Sequence, residues 1–242
     1  MLKPTLHLLK LDQYPIFKQL QIEEALLRKD TRNWCLLNTN STPAIVLGIS
    51  GNPTELINEE RFIKNPVPVI RRFSGGGTVF INEETYFTTF ICQAEELQTF
   101  CNPQAIFKWS ERIYKDVFYD FDFKLHENDY IIGNRKFGGN AQYICKDRFL
   151  HHTSFLFDYN SDQMNYLELP QKTPKYREQR EHKDFLCRLN QFYESKDFLR
   201  QKIEIALNNS FNVKEMHFQE IEDLLELPHR KATTLIDYPY MN

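Results

Sequence analysis

Six of the eight glycines of this chain lie in two short segments beside basic residues. These are Arg71-Arg72-Phe73-Ser74-Gly75-Gly76-Gly77 and Gly133-Asn134-Arg135-Lys136-Phe137-Gly138-Gly139. Glycine inside a helix or strand costs about 0.5–1 kcal/mol relative to alanine. Three in a row therefore mark a place where the backbone must turn sharply or come close to something. Either segment alone reads as a bulge or tight turn between strands, or as backbone N–H groups offered to an anion or a thin ligand. Neither cluster is followed by G-K-[ST], which excludes a P-loop, and neither has the G-x-G-x-x-G spacing of a dinucleotide-binding turn.

The elements around the glycines alternate in type. Ile16 to Lys29 reads as a helix, with Ile16, Leu20 and Leu27 on one face. Gln104 to Phe118 puts Ile106, Trp109, Ile113 and Val117 at helical spacing, with Pro103 suited to a first turn. Asp197 to Asn208 and Phe218 to Leu225 read as further helices. Ala44 to Ile49 and Val67 to Arg72 read as strands, and Gly77 to Ile81 with Tyr86 to Cys92 as a hairpin pair. Asp129 to Asp158 holds several more strands. Helices before and after runs of strands predict an α+β fold, a mixed or antiparallel sheet core flanked by helices.

Composition narrows the function classes. With 30 Lys and Arg against 33 Asp and Glu in 242 residues, no overall field favours nucleic acid or an acidic membrane. No stretch approaches 18 apolar residues, and the start MLKPTLHLLK lacks the long apolar run of a signal peptide. The five cysteines, at 35, 92, 101, 145 and 187, are odd in number and without CxxC spacing, against a zinc site or a disulfide framework. The expectation is a cytoplasmic enzyme-sized domain.

Taken together, the two glycine blocks are more specific than either alone. Arg72, Ser74, Gly75, Gly76, Gly77 and Thr78 form one block. Asn128, Asp129, Lys136, Gly138, Gly139, Asn140, Ala141 and His152 form the second, downstream. With the helix carrying Glu23-Glu24-Ala25-Leu26-Leu27 and the strand Ala44 to Gly48, the pattern resembles the lipoate–protein ligase A family, within the wider group of biotin and lipoate ligases and octanoyltransferases. The resemblance runs from about Leu2 to Leu225. It implies a single catalytic domain over residues 1–242, without the separate C-terminal accessory domain of two-domain members. It also implies an activity: lipoate and ATP, with Mg²⁺, give lipoyl-adenylate, and the acyl group passes to a lysine of a lipoyl domain. Acceptors would be the E2 subunits of 2-oxoacid dehydrogenases or the glycine-cleavage H protein, and a separate accessory chain could assist.

By family position, Lys136 is the expected catalytic residue, a point charge on the ligand's carbonyl and phosphate oxygens. Arg72 is expected to pair with phosphate, and the backbone from Ser74 to Thr78 to line the acyl chain and adenylate. Asn128 and Asp129 would meet the nucleotide, Asp129 as a candidate Mg²⁺ ligand. Gly138, Gly139, Asn140 and Ala141 would line the same ligand. His151 and His152 are adjacent strand residues, so at most one of them faces it; His152 is the choice, with a satisfied core histidine as the alternative. The segment from Leu169 to Leu186 carries Lys172, Lys175, Arg177, Arg180, His182 and Lys183, and reads as a solvated loop, a lid or a dock for an acidic domain.

Three departures from the family pattern stand out. Ile81 occupies a position often held by histidine, Gly138-Gly139 replaces Ser-Gly, and Thr153-Ser154 follows the histidines without the usual glycine. Two other activities are carried as alternatives. One is an ATP-independent octanoyl or lipoyl transfer from acyl carrier protein or H protein, for which Cys187 is the cysteine downstream of His152. The other is a non-catalytic module that binds lipoate or its adenylate.

Overall fold

The computed structural model describes residues 3–168 and 173–238. Among these, twelve strands form two sheets. They are β1 (Thr5–Asp12), β2 (Trp34–Thr39), β3 (Ala44–Leu47), β4 (Val69–Arg71), β5 (Val79–Ile81), β6 (Thr85–Gln93), β7 (Phe123–His126), β8 (Asp129–Ile132), β9 (Arg135–Cys145), β10 (Arg148–Leu156), β11 (Asn212–Met216) and β12 (Thr234–Ile236). The larger sheet runs β11-β1-β2-β6-β10-β9-β8-β7 and the smaller β12-β4-β3-β5. Pairs β11–β1, β1–β2 and β3–β4 are parallel and the rest antiparallel. The mixed α+β architecture read from the sequence is the one observed.

Three long helices cover the larger sheet: α1 (Ile16–Lys29), α2 (Pro103–Val117) and α3 (Lys196–Ser210). Each starts on a side-chain oxygen that takes an orphan backbone N–H. Asn102 accepts from Ala105 N–H at 3.0 Å and Ser195 from Phe198 N–H at 3.1 Å. Helix α1 begins after Pro15, and its Ile16 N–H donates instead to Ser41 Oγ from a distant loop at 3.0 Å.

Alternation along the central strands gives the sheet two distinct faces. Phe149, Phe155, Phe90 and Tyr86 join α2 and α3 residues Trp109, Ile113, Tyr114, Leu199 and Ile203 in the main core. Leu150 and Ile91 lie on the other face, under Ile22, Leu26 and Leu27 of α1. Beyond them, Ile16 and Leu20 of α1 meet Ala44, Val46, Ile70 and Ile81 of the smaller sheet. The second face, the cleft face, therefore packs against α1 and the smaller sheet.

Two expectations change. Residues 77–81 and 86–92 do not form a hairpin: β5 pairs with β3 in the smaller sheet, whereas β6 pairs with β2 and β10 in the larger. The Asn82 turn redirects the chain, its Oδ1 accepting Glu84 N–H at 3.0 Å and its carbonyl Thr85 N–H at 3.0 Å. The helix expected over residues 218–225 is a 3-10 turn at Phe218–Glu220 followed by a single turn at Glu222–Leu225. No helix among the described residues is long and apolar enough to cross a membrane.

Candidate functional site

The triple-glycine loop leaves β4 and lies against β9. Gly75 N–H donates to the Gln142 carbonyl at 3.3 Å, and Ile49 N–H donates to the Ser74 carbonyl at 3.0 Å. Gly76 has φ +111°, and a Cβ there would lie 2.7 Å from the Arg72 guanidinium and 3.1 Å from the Asn140 carbonyl. A Cβ on Gly48 would lie 2.2 Å from the Gly76 carbonyl, so the loop and the end of β3 touch backbone to backbone. Gly77 differs, since a Cβ there meets nothing within 4 Å. Gly76 is thus glycine for folding, while Gly77 leaves open space. Two hydroxyl oxygens of the loop, Ser74 Oγ and Thr78 Oγ1, are buried without a hydrogen-bond partner. Buried polar groups are paired in the great majority of cases, so these two suit a ligand that completes them.

Arg72 is not presented as a free cation. Its guanidinium donates to the carbonyls of Val46 (3.4 Å), Gly75 (3.1 Å) and Gly77 (2.7 Å), and the residue is 4% exposed. Burial pulls its pKa down to about 10, and the Glu23 carboxylate opposes that shift. Its Nε is buried without a partner, so the cation is engaged through Nη1 and Nη2 only. In this structure Arg72 holds the loop in shape, and Arg71 likewise donates to the Ile49 and Gly51 carbonyls.

The second glycine block is shaped by an irregularity in β9. Its register against β8 shifts between Tyr130 and Ile131, so that Tyr130 pairs with Gly138 and Ile131 with Lys136. Phe137 is the extra residue, and it turns into the main core. The consequence is that Lys136 and Gly139 share the cleft face, a Gly139 Cβ lying 3.6 Å from Lys136 Nζ. Gly138 turns the other way, where a Cβ would be 3.0 Å from the Phe155 ring and 3.2 Å from Tyr130. Gly138 is therefore a packing residue and not part of the cleft lining. Asn140 also points away from the cleft: its Oδ1 accepts from Thr153 Oγ1 at 2.7 Å and its Nδ2 donates to the Asn128 carbonyl at 3.0 Å. Asn128 itself is exposed in the turn between β7 and β8. Ala141 stays on the cleft face, its Cα beside Gly76.

Lys136 Nζ lies 2.8 Å from Asp129 Oδ1, and the Tyr176 hydroxyl donates to Asp129 Oδ2 at 2.9 Å. Both carboxylate oxygens are thus engaged. No group of three His, Cys, Asp or Glu among the described residues could hold a metal ion. In this structure the Asp129 carboxylate, expected as a Mg²⁺ ligand, is paired with Lys136 and Tyr176.

The histidine pair splits across the sheet as the strand geometry demands. His152 Nδ1 lies 3.0 Å from Glu23 Oε1 in the α1 interface, and Thr89 Oγ1 and Gln19 Nε2 each donate to the same oxygen at 2.7 Å. Glu23 is fully buried on this apolar helix, at a position whose helical spacing from Leu20 and Leu27 belongs to the core stripe. An acid inside an apolar stripe was the available signal for it. His151 sits on the core face, where burial pulls its pKa to about 3. Gln142 Nε2 donates to its Nδ1 at 3.0 Å, its Nε2–H donates to Tyr130 Oη at 3.0 Å, and Tyr130 donates onward to Ser110 Oγ at 2.6 Å.

A family model described as the lipoyl protein ligase A/B catalytic domain matches residues 15–212. The chain belongs to that family. It is 24% identical to the inactive lipoate–protein ligase 2 of Plasmodium falciparum over 98% of this chain and 74% of that protein. It is 29% identical to the lipoate–protein ligase LplJ of Bacillus subtilis over 57% of this chain, spanning 42% of that relative's length. Among solved structures, a lipoate ligase of Thermoplasma acidophilum with bound lipoic acid aligns with a TM-score of 0.74 at 16% identity, covering 93% of both chains. A bipartite lipoate ligase of the same organism, described with its E2 lipoyl domain, aligns at 0.73 and 17% identity, covering 93% of this chain and 91% of that one. An ATP-bound lipoate–protein ligase A aligns at 0.73 and 16% identity, again over 93% of both chains. At these identities the structural likeness establishes the shared fold.

Within that family, the basic segment before β9's neighbour Cys187 is folded inward. Arg177 Nε donates to the Arg180 carbonyl at 3.0 Å and Arg180 Nε to the Arg177 carbonyl at 3.1 Å, both guanidinium groups lying over Phe185. Lys183 pairs with Glu181. Lys172 lies outside the described residues. Arg177 and Arg180 are thus engaged with backbone carbonyls, whereas Lys175 and Lys183 remain exposed. Cys187 is buried, its Sγ directed to the Arg135 carbonyl, and burial pushes its thiol up to about 11.

Proposed function

We propose that the chain is an ATP-dependent lipoate ligase: it joins lipoate to ATP and passes the acyl group to a lysine of a lipoyl domain or H protein. In the first step a lipoate carboxylate oxygen attacks the α-phosphorus of ATP and pyrophosphate leaves. In the second, the acceptor amine attacks the acyl carbon, loses its proton, and AMP departs. Both steps gather negative charge at oxygens beside the acyl carbon. The observation that carries the reading is a cleft-facing Lys136 beside the side-chain-free Gly139, with the buried orphan hydroxyls Ser74 Oγ and Thr78 Oγ1 on the glycine loop packed against the same strand. A fixed cation with open backbone next to it is what such a transition state requires. Mg²⁺ enters this reading with ATP, as the counter-ion of its phosphates.

Transfer through a cysteine thioester is disfavoured by Cys187, whose raised pKa keeps it a thiol at neutral pH. A second reading, a lipoate- or adenylate-binding module without turnover, draws on similarity over 98% of the chain to a relative named as inactive. Purified protein, with an unmodified lipoyl domain followed by intact mass, separates the readings. Lipoate with ATP and Mg²⁺ is expected to add one lipoyl group. A gain only from octanoyl-acyl carrier protein without ATP would replace the ligase by a transferase. No gain in either arm, with lipoate bound in calorimetry and no rescue by preformed lipoyl-adenylate or an accessory chain, would establish the binding module.

A further inference from the structure

We propose that Tyr176, acting through Asp129, is a positioning residue for Lys136: it fixes the carboxylate against which the lysine's ammonium rests. The chemistry of the proposal rests on the ligase reading, but its geometry does not.

Residues 175–187 form a strap across the two hairpin turns that flank β8. At one end Tyr176 N–H donates to Glu127 Oε1 at 3.2 Å, in the turn between β7 and β8. In the middle, Arg180 Nη1 donates to the Asn134 carbonyl at 2.9 Å, in the turn between β8 and β9, while its Nη2 donates to the Tyr176 carbonyl at 2.6 Å. At the far end Cys187 N–H donates to the carbonyl of Lys136 itself at 2.8 Å. The strap thus grips Lys136 by its backbone and, through Asp129, by its side chain.

The Tyr176 ring is set by aromatic contacts on both sides, His126 at 4.7 Å and Phe185 at 5.2 Å between ring centres. Burial and the neighbouring Asp129 and Glu127 push its phenol pKa upward, so the hydroxyl keeps its proton and acts as a donor. Donation to Oδ2 fixes the plane of the Asp129 carboxylate, and the plane sets where Oδ1 meets Lys136 Nζ. A lysine ammonium is a point charge on a flexible stem, and its placement depends on what its end touches. The strap also carries a conformational cost. Glu178 and Gln179 adopt φ 50° and 63°, a region that non-glycine residues rarely occupy, and the strap's hydrogen bonds offset that cost.

Two variants test the relay. Tyr176→Phe removes only the hydroxyl and keeps the ring contacts, while Asp129→Asn keeps the shape and removes the charge. The first readout is competitive acetylation of amines in ligand-free protein, followed at Lys136 by mass spectrometry against the other lysines. An ammonium held on a carboxylate offers its nitrogen less often, so both variants are expected to raise the Lys136 rate about fivefold, the factor corresponding to one lost hydrogen bond. The second readout is turnover with lipoate, ATP and a lipoyl domain. Tyr176→Phe is expected to lower kcat by about tenfold with KM for lipoate unchanged, since Tyr176 touches no substrate in this scheme. Unchanged Lys136 acetylation in both variants would overturn the relay. So would raised acetylation with unchanged kcat in an active enzyme. If the wild type turns over nothing, the acetylation rates alone decide the relay, and the ligase reading falls separately.

Discussion

The two faces of the larger sheet handle polar groups in opposite ways. On the core face, His151, Tyr130, Ser110 and Gln142 form a chain in which each donor has an acceptor, enclosed by aromatic rings. On the cleft face the same strands carry Lys136, Gly139, Ala141, Ser154 and His152, over a glycine loop with two unpartnered hydroxyls. The His151 chain is complete within the described residues, although Tyr86 Oη and Thr88 Oγ1 on the same face lack partners. On the cleft side, by contrast, the unpartnered hydroxyls Ser74 Oγ and Thr78 Oγ1 lie on a glycine loop with open space beside Gly77. Arg72 sits on the cleft side, its Nη1 and Nη2 donating to the carbonyls of Val46 on β3 and of Gly75 and Gly77 in its own loop. The contrast separates residues that build the cleft from residues that use it, and substitutions can break it.

The largest expected effect is at Arg72. Arg72→Met strips three carbonyls of their buried donor and leaves Glu23 without the nearby cation, so stability should fall by roughly 3–5 kcal/mol, measured by urea unfolding. A variant as stable as wild type that has lost only ligand binding would move Arg72 from the builders to the users. Lys136→Ala is the opposite case. Acyl transfer should drop by about 100-fold, on the order of 3 kcal/mol, while stability falls less than in Arg72→Met, because the buried Asp129 carboxylate left behind keeps the Tyr176 hydroxyl as a donor. Activity within threefold of wild type would remove Lys136 from the chemistry.

These two residues also show what the sequence carried. The helices and central strands were legible because apolar spacing tracks burial: Ile106, Trp109, Ile113 and Val117 are all buried in α2. The family was legible because the glycines, Lys136 and His152 stand in order along the chain. The division of labour among them was not. Whether Lys136 and Gly139 share a face depends on one bulged residue, Phe137, and a bulge has no signature in a two-residue period. Arg72 looked like a phosphate ligand because a carbonyl cage around a guanidinium is assembled from Val46, Gly75 and Gly77, on both sides of a turn. Tyr176 gave no local signal, since its partner Asp129 lies 47 positions away.

The core face makes a pH prediction. His151 is neutral when folded, with a pKa near 3 against an ordinary 6.5. Above pH 6.5 neither state binds the proton, so its contribution is fully present. Below it the unfolded chain takes up a proton that the folded protein refuses, and stability falls as the pH drops toward 3. At pH 5 the loss from this group is about 2 kcal/mol. His151→Gln is expected to flatten the stability profile between pH 7 and 5 by about that amount, whatever it costs at pH 7. A profile as steep as wild type would mean that another group carries the acid sensitivity.

The smallest effect separates two adjacent glycines of the loop. Gly76 is held at φ +111° with the Arg72 guanidinium 2.7 Å from where a Cβ would sit, so Gly76→Val damages the fold before it can report on a ligand. A Cβ on Gly77 meets only open space, and Gly77→Val should fold with wild-type stability. If the space beside Gly77 receives the acyl chain or adenylate, that valine should weaken lipoate binding by about tenfold, or about 1.4 kcal/mol, in calorimetry. Equal binding with equal stability would show that this space lies outside the ligand's path. The open surface would then have to be sought along Gly139 and Ser154, on the strand that presents Lys136.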